Sequence, residues 1–438
     1  MMKLGLIGNP LGHSKSPQIH KFLTGTDYSL WPLEPQELDA FFSARDFDGI
    51  NVTIPYKRSV LKYLDSLDLS AQRTGAVNTI VNRSGKLTGY NTDCAGLMVL
   101  IKELLGSGNA PEHAPLAGIN AAILGTGGAA RAAAAAVAEL GGKAAAVSRA
   151  PSAKDPVPGA ETISYTQLYS RAGEFTLLIN ATPCGMSPDL DGMPADENGA
   201  LLDLGRLPHL KAVVDVIANP LRTRLVFEAQ KRGLKTAGGL KMLVAQAFAA
   251  EEIFTGRTLD PSLIESCTAE LIRQQQNIVL TGMPSSGKST IGRLLAEKLG
   301  ALFTDMDEVL MQRLGMPIAQ YFAQNGEPAF RSAEAELAAE LALKQGLVIA
   351  TGGGIVKSRE NMRRLAANGL IVWLDRSLEL LEATSDRPLS QDRAALEKLW
   401  GQRRQLYEEY ADIRVPADGA PEETVQELIR ILSEERPC

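Results

Sequence analysis

Residues 282–290 read GMPSSGKST, and residues 125–130 of the same chain read GTGGAA. Each is a glycine-rich turn of the kind that joins a strand to a helix and holds phosphate with backbone N–H groups. The first pattern suits the phosphates of a nucleoside triphosphate, the second the pyrophosphate of a nicotinamide dinucleotide. One small domain rarely holds both, so the chain reads as two units joined end to end. Its 438 residues agree, being too many for one ordinary core and enough for two or three domains.

Composition narrows the class. Hydrophobic residues make up 45% and charged residues 22%, a globular balance rather than a disordered one. A net charge of −6 gives no global attraction to nucleic acid. Cys94, Cys184, Cys267 and Cys438 form no CxxC pair, which favours a reducing compartment and no zinc site. The small-residue run AARAAAAAVAEL at 129–140 contains Arg131 and Glu139 and is too short to span a bilayer. MMKLGLIGNPLG at the N-terminus reaches glycine and proline too early for a signal peptide. The expectation is a cytoplasmic protein with small-molecule substrates and neither nucleic acid nor membrane as partner.

Short apolar runs alternate with helical patterns, the mark of α/β architecture: KLGLIG (3–8), GINVTI (49–54), AVNTIV (76–81), AAILG (121–125), TLLINAT (176–182) and AVVDVI (212–217). GRTLDPS (256–262) and the polar stretch RQQQN (273–277) precede a fresh strand, IVLTG (278–282). A linker is therefore expected over 266–276, with the second unit at 277–438. No internal repeat relates the halves.

In the first half, GTGGAA follows a strand and opens a helix. Gly125 suits the tight turn, Gly127 lets backbone approach a pyrophosphate, Gly128 and Ala129 continue the turn, and Ala130 permits close helix packing. The next strand, AAAVSR (144–149), ends in Ser148 and Arg149 where an NAD enzyme usually has an acid. A cation there suits the 2′-phosphate of NADP. Lys154 either adds to that clamp or is an ordinary exposed lysine. Upstream, GNPLGHSKSP (8–17), NVTIPYK (51–57), GAVNT (75–79) and GYNTD (89–93) are rich in small polar side chains. A polyhydroxylated substrate needs such groups, because each hydroxyl wants a placed donor or acceptor.

Together these segments resemble shikimate dehydrogenase over about 1–265. The resemblance implies a substrate lobe of 1–112 plus 239–265 and a doubly wound (Rossmann) NADP lobe at 113–238. It implies that Ser14 and Ser16 hold the substrate carboxylate, that Asn51, Thr53, Asn78 and Gln246 contact substrate, and that Lys57 and Asp93 are the catalytic pair. NATPCGM (180–186) matches the family's nicotinamide-side loop, and GGLKMLVAQ (238–246) its returning helix, with Gly239 near the nicotinamide. This chain departs from the family at Ser148, usually asparagine, and at Ile217, usually tyrosine.

In the second half Gly282, Gly287, Lys288 and Ser289 complete a GxxxxGK[ST] loop between a hydrophobic strand and the helix TIGRLLAEKL (290–299), with Ser285, Ser286 and Thr290 in the same turn. Lys288 is placed for the β and γ phosphates of ATP and the Ser289 hydroxyl for Mg²⁺. DMD (305–307) offers Asp305 to Mg²⁺ and Asp307 to an acceptor hydroxyl. FRSAE (330–334) sets Arg331 and Glu334 on one helical face, and IATGGG (349–354) ends a strand in glycines that allow close approach of a ligand. SDRPLS (385–390) and QRRQLY (402–407) supply further arginines.

This set resembles shikimate kinase over about 277–438, a P-loop α/β domain with a helical lid. Carried over, Asp307, Arg331, Arg403, Gly352, Gly353 and Gly354 bind shikimate, and Arg387 closes on the ATP phosphates. Ser285 stands where the family usually has glycine, and serine is expected to fit only if its backbone avoids positive φ.

Both resemblances name one metabolite. They imply NADPH-dependent reduction of 3-dehydroshikimate to shikimate, followed by ATP·Mg²⁺-dependent phosphorylation of the same oxygen, at two independent sites on a tether. The rival readings are a broader quinate/shikimate dehydrogenase fused to a kinase, and a regulator that keeps its pockets without chemistry.

Overall fold

The apolar runs become three sheets among the described residues. The structure is a computed structural model that describes residues 2–12, 14–106, 117–153, 156–382 and 392–434. It divides into two units, Met1–Thr268 and Ala269–Cys438.

The first unit holds two sheets. One contains β1 (Leu4–Gly8), β2 (Tyr28–Pro32), β3 (Gly49–Val52), β4 (Ser66–Leu67), β5 (Thr79–Arg83) and β6 (Lys86–Tyr90), in the order β2-β1-β3-β5-β6-β4. β1 runs parallel to β2 and β3, whereas β5 is antiparallel to β3 and β6. The register pairs Asn51 of β3 with Thr79 of β5, so two polar side chains stand side by side at the strand ends. Ile7, Ile50, Val52, Val77, Ile80 and Leu87 are buried under this sheet.

The other sheet contains β7 (Asn120–Leu124), β8 (Lys143–Val147), β9 (Glu161–Ile163), β10 (Leu177–Asn180), β11 (Ala212–Asp215) and β12 (Lys235–Ala237). All its pairings are parallel. Its order, β9-β8-β7-β10-β11-β12, is the 3-2-1-4-5-6 sequence of a dinucleotide-binding fold, with the ligand crevice where β7 and β10 lead to opposite sides. The helix Gly128–Glu139 packs closely on it because its inward positions are alanines: Ala130, Ala132, Ala133, Ala134 and Ala136 are fully buried. Alanine also costs least in helix propensity.

The second unit has one parallel sheet of β13 (Asn277–Thr281), β14 (Leu302–Asp305), β15 (Leu347–Ala350), β16 (Gly369–Asp375) and β17 (Ile413–Pro416), ordered β14-β15-β13-β16-β17. The expected linker 266–276 lies almost wholly in a helix, Ser262–Gln275, and the division at Thr268/Ala269 falls inside it. SLIESCTAELIRQQ has no glycine or proline, and its Cys267 and Leu271, one turn apart, are buried. Polar composition alone did not reveal this periodicity.

Candidate active sites

In the first unit the strand ends and the start of one helix bring the expected polar residues together. Asp93 opens the helix Asp93–Leu105, where the helix dipole favours a carboxylate. Its Oδ2 accepts from Lys57 Nζ at 2.5 Å and its Oδ1 from Asn78 Nδ2 at 2.9 Å. Asn78 Nδ2 also donates to Thr92 Oγ1 at 3.0 Å and Gln246 Oε1 at 3.4 Å. Asn51 Nδ2 donates to Thr79 Oγ1 at 2.9 Å and to the Asn78 carbonyl at 3.2 Å. Asn51, Asn78 and Asp93 are all buried, so their amides and carboxylate are held rather than solvated.

Thr53 lies just beyond β3, its N–H donating to the Ile7 carbonyl at 3.0 Å. Ser14 and Ser16 meet at the start of the helix Ser16–Thr24, with Ser14 Oγ donating to Ser16 Oγ at 3.2 Å and accepting from the Ser16 N–H at 3.3 Å.

The glycine turn borders this cluster. Gly125 takes φ 105°, a left-handed conformation, and its N–H donates to the Val147 carbonyl at 2.9 Å. Gly127 caps the helix that Gly128 begins, and Ala129 follows in its first turn. A Cβ added at Gly128 would sit 3.6 Å from Lys57 Cδ. The lysine of the polar cluster therefore lies beside the glycine turn. At the end of β8, Ser148 is buried and accepts from the Ala150 N–H at 3.2 Å through its Oγ, while Arg149 is exposed. Lys154 lies outside the described residues.

Behind the crevice Asp215 is fully buried and accepts from Thr223 Oγ1 at 2.7 Å, from Asn180 Nδ2 at 3.1 Å and from the Ile217 N–H at 3.1 Å. Burial pushes its carboxyl up to about 6, although these donors pull the other way. Ile217 is buried, and the Gly239 N–H donates to its carbonyl at 2.9 Å. A Cβ at Gly239 would lie 2.2 Å from the Val216 carbonyl oxygen, so only glycine permits this approach.

In the second unit the loop after β13 leads into the helix Lys288–Leu299. Gly282 and Gly287 have φ 146° and 88°. Lys288 Nζ reaches back to the Gly282 and Met283 carbonyls at 3.0 and 2.8 Å and to Ser286 Oγ at 3.4 Å. Ser289 Oγ donates to Asp305 Oδ2 at 2.5 Å, and Thr290 is exposed beside it. Asp305 Oδ1 caps the next helix through the Asp307 N–H at 2.9 Å. A hydroxyl and a carboxylate joined at the phosphate loop form an oxygen-only donor set suited to Mg²⁺.

Around the glycines after β15, Arg331 NH1 donates to Glu334 Oε2 at 2.7 Å, and NH2 donates to Glu327 Oε1 at 3.1 Å. Burial raises Glu334, assisted by Asp307 and opposed by Arg331. Burial lowers Arg331, but its two carboxylates more than offset this. A Cβ at Gly352 would meet Asp307 Oδ1 at 2.9 Å, and one at Gly354 would meet Arg331 NH2 at 2.6 Å. The Gly353 carbonyl accepts from Arg403 NH1 at 2.9 Å and Tyr407 Oη at 2.5 Å. Arg387 lies outside the described residues.

One expectation is corrected. Ser285 does take a positive φ, 63°. Its Oγ donates to the Glu382 carbonyl at 2.9 Å, a bond that offsets the roughly 1 kcal/mol cost of a left-handed non-glycine residue.

Sequence reasoning passed over Thr79, Thr92 and Tyr407. Thr92 stood inside GYNTD and Tyr407 inside QRRQLY, but only strand register and helix phase reveal which atoms they meet.

A dinucleotide fold whose turn lies beside a lysine–carboxylate pair defines an α/β dehydrogenase, and the second unit's loop, magnesium-type oxygens and carboxylate-held arginine define a P-loop kinase. The model of the shikimate dehydrogenase substrate binding domain matches residues 6–80, and that of shikimate kinase matches 284–433. The NADP(+) shikimate dehydrogenase of Symbiobacterium thermophilum is 36% identical over 280 residues, 58% of this chain and 89% of the relative. That of a Thermus thermophilus strain is 37% identical over 60% of this chain and 97% of its own. Among solved structures, shikimate 5-dehydrogenase of Thermus thermophilus in complex with NADP(H) and shikimate aligns at 34% identity and TM-score 0.52, over 62% of this chain and 99% of that one. A chorismate mutase/shikimate 5-dehydrogenase fusion from Clostridium acetobutylicum aligns at 31% identity and TM-score 0.54, over 61% of this chain and 96% of that one. The chain belongs to the shikimate dehydrogenase family and carries a shikimate kinase domain after it.

Proposed function

We propose that the chain is bifunctional, reducing 3-dehydroshikimate to shikimate with NADPH and then phosphorylating shikimate at the same oxygen with ATP. The observation that carries the first activity is the Lys57–Asp93 pair at 2.5 Å, beside Gly128 of the dinucleotide turn. NADPH supplies the hydride. As negative charge builds on the substrate's carbonyl oxygen, the Lys57 ammonium stabilises and protonates it. Asp93 orients the lysine, and Asn78 holds Asp93. Ser14 and Ser16 serve the substrate carboxylate, Asn51, Thr53 and Gln246 its hydroxyls, and Gly239 the nicotinamide. Arg149, exposed at the end of β8, serves the 2′-phosphate. We assign 1–112 plus 239–265 to the substrate lobe and 113–238 to the NADP lobe.

In the second unit, ATP and Mg²⁺ supply the phosphoryl group and neutralise its charge. Ser289 and Asp305 hold the metal and Lys288 the phosphates. Asp307 orients the attacking hydroxyl, while Arg331, Arg403 and the Gly352–Gly354 backbone hold shikimate. Catalysis there is positioning plus charge neutralisation.

The test is one reaction with 3-dehydroshikimate, NADPH and MgATP, its products identified by mass spectrometry. Shikimate 3-phosphate is expected. Unchanged 3-dehydroshikimate counts against the first activity, and shikimate without phosphate counts against the second. Parallel assays with quinate and NAD⁺ measure how strictly substrate and cofactor are chosen.

A further inference from the structure

Behind the substrate residues lies a buried polar group that the chemistry above does not use. His20, on the helix Ser16–Thr24, and Glu251, on the helix Leu240–Thr255, are 1% and 0% exposed and meet at 2.6 Å between Nδ1 and Oε1. Among the described residues, His20 Nε2 and Glu251 Oε2 have no hydrogen-bond partner. Two polar side chains so deeply buried need a reason to be there. The imidazole lies flat on Tyr28, ring centroids 3.9 Å apart and planes 9° apart. The Tyr28 hydroxyl donates to Asn51 Oδ1 at 2.7 Å.

From that hydroxyl a line of hydrogen bonds runs to the catalytic pair with a single sense. Tyr28 donates to Asn51 Oδ1, Asn51 Nδ2 to Thr79 Oγ1 at 2.9 Å, and Thr79 to Asn78 Oδ1 at 3.0 Å. Asn78 Nδ2 then donates to Asp93 Oδ1 at 2.9 Å, and Asp93 Oδ2 accepts from Lys57. Both N–H groups of the Asn51 amide are spent, one on Thr79 and one on the Asn78 carbonyl. Asn51 therefore has only a lone pair of Oδ1 left for a substrate, and it can read a hydroxyl but not a ketone.

We infer that Tyr28, seated on the buried His20–Glu251 pair, is a positioning residue for the dehydrogenase, fixing Asn51 as an acceptor for a substrate hydroxyl that does not react. Burial, with the Glu251 carboxylate near, raises the Tyr28 phenol well above its ordinary range. The hydroxyl therefore stays protonated and remains a donor at every working pH. Without it, Oδ1 loses one of the three hydrogen bonds that fix the amide, and only the two N–H bonds are left to hold it. The cost falls on substrate binding rather than on hydride transfer, because Lys57 and Asp93 keep their own contacts.

This inference rests on the functional reading above. The test compares the full chain with Tyr28→Phe, which deletes the hydroxyl and keeps the stacked ring, in shikimate oxidation with NADP⁺. KM for shikimate is expected to rise about tenfold, the worth of one good hydrogen bond. kcat and KM for NADP⁺ are expected to stay within about threefold, since a loss of packing alone would not single out one substrate. A shikimate KM within twofold of the parent overturns the inference, as does an equal rise in both KM values. If Tyr28→Phe does not fold, Glu251→Gln carries the test through the seat of the ring. A shikimate KM raised about threefold with NADP⁺ unaffected is then expected, and an unchanged one overturns the inference. A parent chain that neither oxidises nor binds shikimate in calorimetry overturns the functional reading itself, whereas a working parent matched by Tyr28→Phe overturns only the role of Tyr28.

Discussion

Asp215 shows how one buried side chain sets a pH dependence. Its carboxyl is raised by burial to about 6 in the folded chain, against roughly 3.9 when unfolded. A raised carboxyl binds its proton more tightly in the folded state. Its contribution to stability is therefore complete below about pH 4 and is lost as pH rises through 6, a change of about 3 kcal/mol. The first unit's thermal transition, identified by its upward shift with NADP⁺, is expected to fall between pH 4 and 6 on this account. Asp215→Asn is expected to flatten that slope and also to lower the transition at pH 7. An amide would put N–H groups where Thr223, Asn180 and Ile217 all donate. A slope unchanged in the variant would show that another group is responsible. Ser285 makes a smaller point, because its left-handed backbone preserves the loop shape that glycine would give. Ser285→Gly exchanges a conformational cost of about 1 kcal/mol for a lost hydrogen bond of similar size. KM for MgATP in the kinase assay is therefore expected to change by less than about threefold.

Secondary structure was readable where local pattern decides it and unreadable where partners decide it. The strand–glycine turn–helix units around Gly125 and Gly282, and the doubly wound sheet, follow from apolar runs and glycine spacing alone. The antiparallel placement of β5 between β3 and β6 does not, and that pairing sets Asn51 against Thr79. The line from Tyr28 to Asp93 is therefore not legible in the sequence, although NVTIPYK, GAVNT and GYNTD hold all its members except Tyr28. The helix Leu240–Thr255 carries both kinds of information. Gln246 and Gly239 were readable in GGLKMLVAQ, whereas Glu251 reaches His20 only because the helix crosses the one that begins at Ser16. Its start is fixed by the contact of Gly239 with Val216 and Ile217. Gly239→Ala puts a carbon 2.2 Å from a backbone oxygen, so the helix or the β11 loop must shift. A shift of about 1 Å in a site of this kind costs roughly a hundredfold. Dehydrogenase kcat/KM is expected to fall by about that factor while shikimate phosphorylation by the same preparation is unchanged. Retained dehydrogenase activity would mean that the helix start is softer than its contacts imply.

Each proposed site draws its described residues from one unit, Ser14 to Gln246 from Met1–Thr268 and Gly282 to Arg403 from Ala269–Cys438. Neither needs the other to complete its chemistry, so the two activities are expected to separate cleanly by mutation. Lys57→Ala removes the proposed proton donor and is expected to lower reduction of 3-dehydroshikimate by about a thousandfold, with phosphorylation of added shikimate within twofold of the parent. Lys288→Ala removes the ammonium proposed to bind phosphate and is expected to do the reverse, with a loss of similar order. A substitution that silenced both activities in a folded chain would contradict independence. The pair also tests whether shikimate leaves one site before it reaches the other. An equimolar mixture of the two variants holds one working copy of each site on different chains. With free exchange, it converts 3-dehydroshikimate to shikimate 3-phosphate at the rate of the parent at half the mixture's total chain concentration, after the same lag. That outcome is expected of two sites that share only a metabolite. A mixture markedly slower than this, with a lag absent from the parent, would mean instead that shikimate passes along the chain that made it.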